Sequence, residues 1–97
     1  MRRQQAVKQY AKMFFNTVEL DKVPAALDEL VAINGLMDKS PEFRGLLGNP
    51  LFTAADREKA MKYVSGKMGA SEATTRFVLY LAEKMVISQL TQLIQII

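Results

Sequence analysis

Side chains equipped for chemistry are sparse in this 97-residue chain, and their spacing matters more than their number. There is no histidine and no cysteine. That removes the commonest general base, the commonest metal ligand and all thiol chemistry. The ten carboxylates stand mostly beside lysines or where helices should begin, positions that solvation and helix polarity explain. Thr74-Thr75 follows Ser71 and Glu72, and reads as the first turn of a helix rather than as a pair of nucleophiles. The five glycines are scattered and form no phosphate-cradling loop. No catalytic, cofactor-binding or metal-ligating residue is expected, and the chain is not expected to be an enzyme.

What remains is binding. The net charge of +3 is mild and gives weak support for a nucleic-acid partner. Only Arg2 and Arg3 are adjacent; with Lys8 and Lys12 they are the basis for an alternative reading as a helical nucleic-acid-binding module. Hydrophobic residues make up 49% of the chain, enough for a packed core, and charged residues 24%, typical of globular chains. No apolar run approaches the ~18 residues of a membrane span. The opening MRRQQAVKQYAK lacks the apolar centre of a signal peptide.

Everything periodic has the helical period. Ala6, Val7, Tyr10, Ala11, Phe14, Phe15 and Val18 recur at steps of three and four, which predicts a first helix over residues 4–20. Asp21 is the expected cap of a second helix, with Pro24 in its first turn. That helix carries Leu27, Leu30, Val31, Ile33 and Met37 and should stop by Ser40, because Pro41 disfavours helix in the residue before it. SPEFRGLLGNP predicts a two-turn third helix. Ser40 caps it, Phe43, Leu46 and Leu47 form its stripe, and Gly48 is expected to end it in the left-handed conformation. Thr53 and Asp56 form a variant capping box for a fourth helix, with Ala60, Met61, Val64 and Met68 inward and Gly66 and Gly69 marking its end. Ser71 caps a fifth helix, whose centre is FVLYLA. A buried strand is the competing reading of those six residues, but length and helix-compatible flanks favour helix. Residues 87–97 are a sixth helix or a continuation of the fifth. The expected fold is all-α, a single antiparallel six-helix bundle.

Two helices carry more apolar surface than one packing stripe requires. Phe77 to Ala82 cover every side of the fifth helix. It is either the central helix, wrapped by the others, or it packs on one side and receives a partner on the other. On the first helix Tyr10, Phe14 and Val18 form one stripe, with Met13 and Thr17 beside it. Tyrosine and methionine are adaptable, amphipathic types suited to a groove wall that receives an amphipathic helix.

The order of motifs, QYAKMFF, LDELVAINGLM, SPEFRGLLGNPLF, REKAMKYV and TTRFVLYLAEK, resembles the N-terminal domain of the delta subunit of the rotary ATP synthase, called in mitochondria the oligomycin sensitivity-conferring protein. Tyr10, Ala11 and Lys12 match the family's first helix; Ser40, Pro41, Glu42, Leu46, Leu47, Asn49 and Pro50 match its short third helix and exit. Glu58 and Lys59 match the opening of the fourth helix, and Phe77, Leu81, Ala82 and Glu83 the fifth. The resemblance runs from Val7 to Ile97. One step departs from it. Where the family often has asparagine-glycine-arginine or lysine-arginine, this chain has Lys84, Met85 and Val86, with no arginine and no helix breaker.

The resemblance implies a non-catalytic peripheral-stalk subunit that links the catalytic head to the membrane-anchored stator. It implies a groove between the first and fifth helices for the N-terminal amphipathic helix of an alpha subunit. The positions carried over are Tyr10, Met13, Phe14 and Thr17 on the first helix, and Arg76, Phe77, Tyr80 and Lys84 on the fifth. It implies no cofactor, no nucleic acid and no membrane insertion. A generic adaptor bundle would differ from this reading only in its partner. The expected location is the cytoplasmic face of the bacterial inner membrane, with b-type stalk subunits bound through a C-terminal domain lying beyond this chain. The closing ISQLTQLIQII fits that expectation: it ends inside an amphipathic pattern without a cap. Ile87, Leu90, Leu93, Ile94 and Ile97 should face the core, Ser88, Gln92 and Gln95 outward, and Ile96 should be bare.

Overall fold

The computed structural model describes the backbone of residues 2–97 and the side chains from Val7 onward. The described residues are all-helical: α1 (Arg2–Thr17), α2 (Val23–Lys39), α3 (Pro41–Gly48), α4 (Ala54–Met68), α5 (Glu72–Glu83) and α6 (Leu90–Ile96). Short 3-10 turns at Leu20–Lys22 and Ile87–Gln89 lead into α2 and α6. FVLYLA is helix, not strand.

Most boundaries follow local chemistry. The Ser40 hydroxyl accepts from the Phe43 amide at 3.2 Å. Thr53 and Asp56 bond reciprocally, each backbone amide to the other's side chain, at 3.1 and 3.2 Å. Ser71 accepts from the Thr74 amide at 3.3 Å. Each cap satisfies an amide that the first helical turn leaves without a partner.

Several boundaries differ from expectation. The first helix stops at Thr17, not Leu20, and Leu20 is exposed. The Thr17 hydroxyl bends back to the Met13 carbonyl at 2.8 Å, and Glu19 is extended. Asp21 caps nothing; it lies inside the 3-10 turn, and Lys22 precedes α2 without a side-chain cap. Gly48 ends α3 in ordinary helical backbone, and the chain leaves through extended Asn49. Pro50 is the reason, since a proline drives the residue before it toward extended backbone. Gly66 lies within α4, and Gly69 alone closes that helix, at φ 73°. Val31, expected among the apolar positions of α2, is half exposed at 50%.

One continuous core joins all six helices. Val7, Ala11 and Phe14 enter it from α1 and Val18 from just past its end, Leu30 and Ile33 from α2, Leu47 from α3 and Met61 from α4. α5 supplies Phe77, Val78, Leu81 and Ala82, and Leu90 and Leu93 come from α6. α5 also buries Thr74 and Thr75, and touches α1, α2, α3 and α4, so it is the central helix. α6 is a separate element, bent from α5 by 120°. Its faces are as the spacing predicts: Ile87, Leu90 and Leu93 inward, Ile94 and Ile97 half-buried, Ser88, Gln92 and Gln95 outward, and Ile96 45% exposed. No single helix among the described residues is long and apolar enough to cross a membrane.

Candidate interaction site

α1 and α5 pack with their aromatic residues in register. Phe14 and Phe77 meet edge to face at 5.3 Å between ring centres, and both are buried. Beside them Tyr10 and Tyr80 meet edge to face at 6.1 Å, and both are half-buried. On α1 the core stripe is Val7, Ala11 and Phe14, continued by Val18 just past the helix end; the next stripe round the helix is Tyr10, Met13 and Thr17. Its counterpart on α5 is Ala73 and Tyr80, continued by Lys84 just past the helix end, with Arg76 one step further out. The two stripes form a seam of mixed character over a closed aromatic floor.

The eight expected residues therefore divide. Phe14 and Phe77, at 0% and 2% exposure, have no surface to offer an occupant and act as the floor. Tyr10, Met13 and Tyr80 present partial apolar surface. Thr17 is exposed, with its hydroxyl already bonded to Met13. Arg76 and Lys84 are exposed at the rim. Arg76 pairs with Glu72 of its own helix at 2.6 Å, and the Lys84 ammonium lies 5.7 Å from the centre of the Tyr80 ring. Ala73 shares this face of α5 and was not among the expected residues. It stands three and four residues before Arg76 and Phe77, so the helical spacing carried the signal, but a small side chain drew no notice.

Other polar residues are structural. Thr75 bonds the Ser65 hydroxyl and the Ser71 carbonyl, which ties α5 to α4. Ser71 donates to Glu29 from both its amide and its hydroxyl at 3.1 Å, which ties α5 to α2. Arg57, 8% exposed and not singled out by its sequence context, donates to the Asn49 carbonyl at 3.0 Å and pins the turn between α3 and α4. Larger clefts open away from the seam. One of about 640 Å³ lies between α3 and α4, lined by Leu46, Phe52 and Tyr63. Another of about 610 Å³ lies between α4 and α5. No group of three or more metal-ligating side chains is found among the described residues.

The profile of the ATP synthase delta (OSCP) subunit family matches residues 6–97. The chain is 31% identical over 78 residues to the ATP synthase subunit delta of Trichlorobacter lovleyi, covering 79% of this chain and 43% of that protein. It is 33% identical over 66 residues to the ATP synthase subunit delta of Nitratidesulfovibrio vulgaris, covering 68% of this chain and 34% of that protein. The chain thus spans less than half the length of these relatives. No solved structure matches it. The chain belongs to the ATP synthase delta (OSCP) subunit family.

Proposed function

We propose that this chain is the N-terminal helical domain of a peripheral-stalk subunit, and that its α1–α5 seam receives the N-terminal amphipathic helix of an alpha subunit. The observation that carries the proposal is the paired half-buried surface of Tyr10, Met13 and Tyr80 over the Phe14–Phe77 floor. The six helices would form the antiparallel bundle of the family. The role is mechanical: the domain holds the catalytic head against rotor torque and performs no chemistry itself. A slow off-rate is what that task requires. The whole subunit would reach b-type stalk subunits through its remaining half, at the cytoplasmic face of a bacterial inner membrane.

The seam suits a helix laid along it. Burying apolar surface there contributes about 25 cal/mol per Å², and the rigid floor keeps the ordering cost low. Arg76 can exchange Glu72 for a partner's acid, because an exposed ion pair of that kind holds only weakly. With Lys84 it would set register more than affinity.

Titration of the domain with the alpha N-terminal peptide tests this. Tyr80→Ala and Met13→Glu should each weaken binding by roughly tenfold or more, with unchanged helicity by circular dichroism. Unchanged affinity in both variants sinks the seam as the site. Absence of binding by the wild-type domain sinks the stalk role itself. Affinity that falls steeply with salt would instead mark an electrostatic partner such as nucleic acid.

A further inference from the structure

The turn between α5 and α6 has no local cause. From Ala70 to Ile97 there is no glycine and no proline. Yet the helix stops at Glu83, and Met85 adopts φ 61°, the left-handed region in which a methionine is strained. Around it the Met85 amide bonds the Ala82 carbonyl at 3.1 Å and the Val86 amide bonds the Leu81 carbonyl at 2.9 Å, the pattern that usually has glycine at the left-handed position.

The reason lies in where the apolar stripes fall. At 100° per residue, the α5 core stripe and the stripe of Ile87, Leu90 and Leu93 beyond it would stand roughly 140° apart on one continuous helix. Only a sharp bend lets both face the same core. If Met85 relaxed into helix, α6 would be carried away from its own α1 and α2, which it packs against here. Its buried leucines would then be bare, and the site they left would be open to the same segment of another chain.

We propose that Met85 is a hinge through which two copies of this chain exchange α6, giving a domain-swapped dimer. The partner is a second copy because the vacated surface is complementary to α6 itself. Exchange restores the packing of α6 on α1 and α2 and removes the left-handed methionine from both chains. The proposal is independent of the α1–α5 seam and of the alpha-subunit peptide.

The Asn34 and Thr91 side chains, which bond at 3.2 Å between α2 and α6, report on it. The native chain has no cysteine, so Asn34→Cys and Thr91→Cys variants can be mixed, concentrated, warmed near the melting midpoint, cooled and treated with a short bis-maleimide. A cross-linked heterodimer of twice the monomer mass is expected after warming and not before. Adding Met85→Gly to both variants should lower the dimerisation constant by roughly a hundredfold, since glycine relieves the strain in the monomer and weakens the continuous helix. A mixture that stays monomeric, or a dimer without the Asn34–Thr91 link, overturns the proposal, as does a linked dimer indifferent to Met85→Gly.

Discussion

The end of α4 and the end of α5 both turn through left-handed backbone, at Gly69 with φ 73° and at Met85 with φ 61°. After Gly69 the chain meets Ser71, which caps the next helix. After Met85 it meets no capping side chain; Val86 and Gln89 precede the last two elements without side-chain cap bonds. One bend is made by the residues at the bend. The other is imposed from a distance, by burial of Ile87, Leu90 and Leu93. The same backbone geometry can be a local preference or a strain that packing sustains, and substitutions tell the two apart.

Leu90→Ala has the largest expected effect. Leu90 is fully buried, and truncation should lower stability by about 3 kcal/mol in a urea melt. A loss below about 1 kcal/mol would mean that burial of α6 is not what holds the α5 bend. Gly69→Ala should lower stability by about 1 kcal/mol. No atom lies within 4 Å of an added Cβ there, so the loss would be backbone strain alone; a neutral result would remove the contrast between the two bends. Met85→Gly should act in the opposite direction and raise stability by about 0.5 kcal/mol, because relief of left-handed strain slightly exceeds the entropy that glycine adds to the unfolded chain. If it destabilises, Met85 is not strained and the two ends are more alike than the dihedral angles imply.

Legibility along the chain followed the same division. The starts of α3, α4 and α5 were readable because serine and threonine act on amides within three residues. Gly48 was misread because Pro50, two positions on, outweighs the glycine by restricting Asn49. The end of α1 was misread because Val18 continues the apolar stripe, while Thr17 and Glu19 turn the chain. At the seam, the resemblance carried over Tyr10, Met13 and Tyr80 together with Phe14 and Phe77, and nothing in the sequence separates the half-buried three from the buried two. All five are large and helix-compatible, and only the packing of α1 on α5 determines which are covered.

By itself the sequence determined the all-helical class, the three hydroxyl caps, the inward face of α6 and the family resemblance. These depend on groups a few residues apart or on a period of 3.6. Only the tertiary structure decided that α5 and α6 part at Met85, that Phe14 and Phe77 serve as floor rather than wall, and that Arg57 is buried against the Asn49 carbonyl. Each of these is settled between segments distant in sequence or in competition for one core, where the burial of several large side chains outweighs a local strain of about 1 kcal/mol.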